Sequence, residues 1–158
     1  MNRRIIIDSS KCTGCGTCQI ACSIHRNGQC EPSLARILIW RDEKAGLFIP
    51  MTCRQCADPP CAAACLMNVI SKDDESGVTI RSLENCISCR VCQVACPFNA
   101  CTYNYLHDWV ENCDQCGGDP QCVKYCPYGA MQYADLADIM DLVRETEAKR
   151  RLLPGLID

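Results

Sequence analysis

Long apolar runs are missing from this sequence. Nowhere do eighteen apolar residues follow one another, so no segment reads as a membrane-spanning helix. Aromatic residues are scarce, with two Trp, five Tyr and two Phe in 158 residues, which leaves a thin apolar core for this length. The opening Met1-Asn2-Arg3-Arg4-Ile5-Ile6-Ile7-Asp8 holds only three apolar residues before its aspartate. That is too short for a secretory signal, and Arg3-Arg4 without a longer apolar stretch does not make a twin-arginine leader. The expected compartment is therefore the cytoplasm. An excess of positive charge is also lacking, since the formal net charge is −3, which argues against nucleic acid as a partner. No phosphate-cradling glycine loop, His-Glu-x2-His pair or nucleophile constellation occurs, so no bond-making chemistry is expected of the chain itself.

Cysteine, by contrast, is abundant: eighteen residues, more than a tenth of the chain. Usage that high means either a disulfide scaffold in a secreted protein or metal ligation in a reducing compartment, and the opening residues favour the second. Sixteen of the cysteines fall into four runs. The first is Cys12-x2-Cys15-x2-Cys18-x3-Cys22 and the second Cys53-x2-Cys56-x4-Cys61-x3-Cys65. The third is Cys86-x2-Cys89-x2-Cys92-x3-Cys96-Pro97 and the fourth Cys113-x2-Cys116-x5-Cys122-x3-Cys126-Pro127. Three thiolates from one closely wrapped loop can cap three corners of an iron–sulfur cubane, while the fourth points away and ligates a neighbouring one; such a run with its trailing proline is the bacterial two-cluster ferredoxin signature.

Two other metal chemistries fit the spacing poorly. Zinc sites use two Cys-x2-Cys pairs separated by a longer loop. Radical chemistry on S-adenosylmethionine calls for Cys-x3-Cys-x2-Cys, and the required position holds His25, Asn68, Asn99 or Gly129 instead. Four [4Fe–4S] clusters are the expected cofactors, with a zinc-stabilised interaction module as the competing reading. Each oxidised cubane with its thiolates adds about −2, bringing the loaded chain to roughly −11 and favouring a partner with a basic face. With so thin a core, metal-binding energy is expected to serve as folding energy.

Tight and expanded spacings alternate along the chain, which reads as an imperfect duplication. Short strand signals separate the runs: Arg3–Ile7, Arg36–Trp40 with Leu47–Met51, Val69–Ser71 with Val78–Ile80, Thr102–Tyr105 with His107–Val110, and Ala130–Tyr133. Gln19–Cys22, Ala62–Cys65, Gln93–Cys96 and Val123–Cys126 each have room for about one helical turn. Beyond them Leu136, Ile139, Met140 and Val143 mark one face of a helix ended by Pro154-Gly155, expected to pack on its own domain.

Outside the runs, Cys30 and Cys101 are expected to be buried thiols and His25 and His107 surface or hydrogen-bonded residues. Phe98, Tyr125 and Tyr128, beside ligands, are expected to shield clusters from water. Lys11, Arg54 and Arg90 also adjoin ligands, where they either raise a cluster's potential or are solvated charges.

The four runs in this order, over about residues 5 to 134, resemble the iron–sulfur electron-transfer subunits of molybdenum and tungsten pterin enzymes. Cys53-Arg-Gln-Cys-Ala-Asp-Pro-Pro-Cys61 and the compact Asn112–Pro127, with its Gly-Gly-Asp-Pro, carry the likeness. The second stretch is most similar to the small subunits of tungsten aldehyde oxidoreductase and class II benzoyl-CoA reductase complexes. Cys22 is followed by Ser23 and Cys65 by Leu66 where that family often has proline.

The resemblance implies an α+β polyferredoxin of two intertwined two-cluster units plus a C-terminal helix. Residues 1–33 and 101–134 would form an outer unit, 34–100 an inserted inner unit and 135–158 a helical tail. It further implies that Cys12, Cys15, Cys18 and Cys126 hold one cluster and Cys113, Cys116, Cys122 and Cys22 its neighbour. Cys53, Cys56, Cys61 and Cys96 would hold a third, and Cys86, Cys89, Cys92 and Cys65 the fourth. Spacing alone leaves a sequential pairing equally open. The implied function is electron transfer to or from a tungsten or molybdenum pterin catalytic subunit in an anaerobic setting, with a further redox subunit or ferredoxin as the other contact. Carbon monoxide dehydrogenase or hydrogenase is the alternative partner.

Overall fold

The computed structural model describes residues 3–141 and residue 144. Its strands form four separate two-stranded antiparallel ladders among the described residues. Strand β1 (Arg3–Ile7) pairs with β8 (Met131–Asp135), in register from Arg3 opposite Asp135 to Ile7 opposite Met131. The other ladders are hairpins: β2 (Leu38–Asp42) with β3 (Leu47–Met51), β4 (Ile70–Lys72) with β5 (Thr79–Arg81), and β6 (Cys101–Asn104) with β7 (Trp109–Asn112). Turn chemistry closes them locally. In the first, the Asp42 carboxylate accepts the Lys44 and Ala45 amides at 3.1 Å each; in the second, Asp73 accepts the Ser76 amide at 2.8 Å.

Four helices follow the tight cysteine turns: α1 (Thr17–Asn27), α2 (Pro60–Ala63), α3 (Val91–Ala95) and α4 (Gln121–Lys124). Three are single turns, as the sequence suggests. The first is not: α1 runs eleven residues. Ser23, standing where proline would end the helix, lets it continue, and its hydroxyl donates to the Ile20 carbonyl at 3.1 Å. Gly28, left-handed at φ 68°, then stops it by donating its amide to the Ile24 carbonyl. The strands expected at 36–40, 69–71, 78–80, 102–105, 107–110 and 130–133 form with boundaries displaced by one or two residues, within the ordinary fraying of element ends.

Two small cores result. One gathers Cys18, Cys22, Ala35, Ile37, Ile39, Cys122 and Met131, with Ile5, Ile7, Phe48 and Cys126 packed against it. The other gathers Cys61, Val69, Ile70, Cys92, Cys101 and Val110, with Cys65, Cys86, Cys96 and Tyr103 around it. Helix α1 packs against α4 and α2 against α3, so sequence-distant cysteine runs face each other pairwise.

Residues 136–141 are helical, but Leu136 and Met140 on the face expected to pack are about half exposed. The two-stranded β1–β8 ladder that precedes them does not cover that face. The rest of the expected helix, from Val143 through Pro154-Gly155, lies outside the described residues apart from Arg144.

Gly14 makes the closest backbone approach. It sits at φ +70°, and a Cβ there would lie 2.7 Å from Cε1 of Phe48. Gly14→Ala therefore combines left-handed strain with overpacking, and a loss of about 1–3 kcal/mol is expected, read as a lower thermal midpoint. An unchanged midpoint would show that the Phe48 ring yields freely.

Candidate metal centres

The first tight turn is the same in all four runs. The residue before the second cysteine is left-handed each time: Gly14 (φ 70°), Gln55 (52°), Ser88 (56°) and Gln115 (58°). This turn swings the backbone around so that amides face the first sulfur. The Gln115 amide donates to Cys113 Sγ at 3.4 Å, and the Gln55 amide does the same toward Cys53. The ends of the later three runs also match. Asn68, Asn99 and Gly129, three residues past the last cysteine, are left-handed, and each amide donates to that cysteine's carbonyl at 3.1–3.3 Å.

These turns bring sulfurs from different runs together. Cys12, Cys15 and Cys18 line a small cavity with Cys126, walled by Pro50, Tyr128 and Met131. Cys86, Cys89 and Cys92 line another with Cys65, walled by Val69, Val110 and Arg81. Cys22 and Cys122 share the first core with Cys18, and Cys126 packs against it. Cys61, Cys92 and Cys101 share the second core, with Cys65, Cys86 and Cys96 packed against it.

Burial dominates the electrostatics. It pushes the thiols of Cys18 up to about 11, Cys22 to about 12 and Cys53 to about 11, and also raises Cys113, Cys116 and Cys122. Thiols so placed ionise only when a cationic group arrives to pair with them, which is what ferric and ferrous iron provide. Cys15, near solvent, is held below the ordinary range by hydrogen bonding to Thr17, whose hydroxyl lies 3.4 Å from the sulfur. Cys61 and Cys92 are lowered chiefly by the Cys101 thiol, which is itself held strongly up by the same contacts.

The residues beside the ligands behave differently from expectation in several cases. Cys101 is buried, but Cys30 is exposed in the loop beyond α1, because no apolar neighbour covers that turn. Phe98, Tyr128 and Tyr125 have 44%, 52% and 55% of their surface in water, too open to seal a cluster, although Tyr128 borders the Cys12 cavity. Lys11 pairs with Asp8 at 3.2 Å; Arg90 stacks 3.5 Å above the Tyr103 ring while also lining the cavity of Cys65, Cys86, Cys89 and Cys92; Arg54 borders a groove beside Cys56. His25 borders a surface groove with Ile20 and Ile24, and His107 stacks on Trp109.

The polar groups that do reach the cysteines come from strands and connecting segments. Arg81 Nη1 donates to Cys92 Sγ at 3.4 Å, and the Arg36 amide donates to Cys22 Sγ at 3.3 Å. Lys72 Nζ holds the Cys56 carbonyl at 2.5 Å, and Gln55 Nε2 the Cys113 carbonyl at 2.6 Å. A strand ending in arginine just ahead of a cysteine run was the available sequence signal for Arg81.

Residues 44–136 match the 4Fe-4S dicluster domain family, and residues 3–23 match a 4Fe-4S binding domain. Among curated proteins, the chain is 38% identical to the polyferredoxin-like subunit of aliphatic sulfonate oxidoreductase from Pyrococcus furiosus, over 77% of this chain and 70% of that subunit. It is 36% identical to the beta subunit of NADH-dependent phenylglyoxylate dehydrogenase from Aromatoleum evansii over 90% of this chain, but spans only 32% of that subunit's length. A chain of the BamBC active-site complex of benzoyl coenzyme A reductase aligns at 22% identity, covering 94% of this chain and 91% of that one, with a TM-score of 0.49. Closely wrapped cysteine loops, buried thiols awaiting cationic partners and a match across more than half of the residues converge on one assignment. The chain belongs to the 4Fe-4S dicluster domain family and is an iron–sulfur electron-transfer subunit.

Proposed function

We propose that this chain holds four [4Fe–4S] clusters and relays electrons between the catalytic subunit of a tungsten or molybdenum pterin oxidoreductase and a second redox protein, without catalysing a reaction itself. The observation that carries the count and the pairing is that Cys126 lines one cavity with Cys12, Cys15 and Cys18, while Cys65 lines another with Cys86, Cys89 and Cys92. By the same nesting Cys22 joins Cys113, Cys116 and Cys122, and Cys96 joins Cys53, Cys56 and Cys61. Each cubane, when bound, takes up and releases one electron at a potential set by charge, hydrogen bonds and solvent exposure.

The protein's own contribution is placement. Crossed fourth cysteines fix neighbouring sites in one rigid frame, and the Cys53 group lies beside Cys113 of the outer pair, which supports a continuous path between the units. The division into outer (1–33 with 101–134) and inner (34–100) units is supported by the β1–β8 ladder and by α1 packing on α4. The hairpins knit the units together: Ile37, Ile39 and Phe48 pack on the outer core, and Cys101, Tyr103 and Val110 on the inner.

Two things support the partner type: the relatives, whose names make them subunits of oxidoreductases, favour a catalytic oxidoreductase partner, and the resemblance carried by the short Gly-Gly-Asp-Pro run favours a tungsten one. No helix among the described residues is long and apolar enough to cross a membrane, and a cytoplasmic location belongs to the same proposal.

Anoxic purification should yield about sixteen iron and sixteen acid-labile sulfide per chain, and co-purifying tungsten or molybdenum rather than nickel. Cys96→Ala distinguishes the pairings: with nesting it unsettles the cluster of Cys53, Cys56 and Cys61. Retention of that cluster's signal with loss of the Cys113 cluster's would favour sequential pairing. A zinc-rich, colourless preparation would overturn the reading outright.

A further inference from the structure

Among the charged side chains near the clusters, Arg81 donates directly to cysteine sulfur. It closes strand β5, and its guanidinium makes no ion pair with a carboxylate among the described residues. Two of its nitrogens instead face sulfur: Nη1 donates to Cys92 Sγ at 3.4 Å and Nη2 to Cys101 Sγ at 3.3 Å. The third, Nε, donates to Asn112 Oδ1, and the Asn112 amide is anchored on the Thr79 carbonyl at 2.9 Å and the Cys113 carbonyl at 3.1 Å. The fork is thus fixed from behind, so little rotamer freedom is lost in holding it on sulfur.

Cys101 completes the arrangement. It is 4% exposed, heads β6 opposite Asn112, and its carbonyl accepts from Gln93 Nε2 at 2.9 Å. It shares one buried core with Cys61 and Cys92, which by the assignment above belong to different ligand sets of the inner unit. A guanidinium charge and one non-ligating thiol therefore sit at the seam between the two inner sites.

Resting on the ligand assignment above, we propose that Arg81 is a redox-positioning residue that raises the potential of the cluster held by Cys65, Cys86, Cys89 and Cys92, with Cys101 relaying part of the effect to the Cys61 site. Reduction adds one negative charge to a cubane. A fixed cation hydrogen-bonded to a ligating sulfur in a partly buried site stabilises the more negative state, and the low local dielectric enlarges that preference. The same fork that binds the sulfur sets which of the two inner sites an electron occupies. Lysine could supply the charge but not two donors in one plane.

The test is potentiometry of the anoxically purified, iron-loaded chain with dithionite as reductant, followed by low-temperature paramagnetic resonance. Iron and sulfide are counted on every sample. In Arg81→Met, with iron content as in the unaltered protein, the reduced-to-oxidised ratio of one cluster at fixed potential should fall about tenfold, equal to about 59 mV for a one-electron couple. Arg81→Lys should recover part of that shift. Cys101→Ala leaves every ligand and the guanidinium in place and should move the same signal in the same direction by about threefold. Unmoved signals in loaded Arg81→Met overturn the proposal. If that variant loses iron, an unmoved signal in Cys101→Ala does so. An unaltered protein lacking about sixteen iron atoms would instead refute the ligand assignment itself, so the two failures are distinguishable.

Discussion

Stripping the iron with a chelator under anoxia should abolish most of the far-ultraviolet circular dichroism and open the chain to protease throughout. The local structure offers little that stands alone. All ladders among the described residues are two-stranded, and an isolated two-stranded ladder is marginal in water. Three of the helices have four or five residues, far below the length at which helix propagation overcomes nucleation. Three of the seven buried residues in the first core, and three of the six in the second, are cysteines. Without iron these act only as small apolar groups, each contributing far less than a buried Leu or Phe. Native-like dichroism in a preparation shown to be iron-free would refute this account and give the apolar side chains alone the credit for the fold.

Replacing Glu111 by Ala should be the most damaging change outside the cysteines. Its side chain is 6% exposed and accepts three hydrogen bonds: from Arg36 Nε at 2.8 Å, Trp109 Nε1 at 2.8 Å and Asn104 Nδ2 at 3.4 Å. Arg36 is 10% exposed, and its remaining carboxylate, Asp114 at 3.2 Å, is shared with Arg26 at 2.9 Å. Glu111→Ala therefore leaves a buried guanidinium with only the shared Asp114, a loss of about 3–5 kcal/mol, seen as roughly hundred- to thousand-fold faster bleaching in guanidinium. Arg36→Met with Glu111→Leu should restore much of the loss, because removing both charges also removes the cost of burying them. A single variant as persistent as the unaltered protein would show the pair to be dispensable.

The same pair predicts an acid limit. Burial alone would raise the Glu111 carboxyl, but the Arg36 hydrogen bond and charge outweigh it and hold it below the usual glutamate range. A carboxyl lowered in the folded state stabilises it above the unfolded pKa, and that contribution fades as pH falls through the lowered value. Glu111→Gln should flatten this limb without shifting the neutral-pH behaviour of other groups.

How much of this could be read from the sequence follows from distance along the chain. The cysteine runs declare themselves because their chemistry and spacing are local, and the hairpins because alternation and turn residues are local too. Helix α1 outran the expectation since one substitution, Ser23 for the frequent proline, decides whether a turn continues. Arg81 and Arg36 were missed, although each touches a cysteine eleven or fourteen residues away, because a strand end delivers the one and a bend ahead of β2 the other, not adjacency. Lys11, chosen for adjacency, turned to Asp8, whereas Arg90 stacks on Tyr103 and still borders the cavity of its neighbouring cysteines. Cys30 shows that residue type predicts burial only where the local chain supplies a cover.

The ladder joining Arg3–Ile7 to Met131–Asp135 has a consequence for biogenesis. During translation at about 5–20 residues per second, the earlier strand waits roughly 6 to 25 seconds for its mate. Throughout that interval its apolar edge is open to foreign strands, with Arg3 and Arg4 the charges that discourage such liaisons. The cavity lined by Cys12, Cys15, Cys18, Cys126 and Met131 is thereby completed only after the second strand has been made, so a nascent chain stalled before residue 131 would be one that never closes.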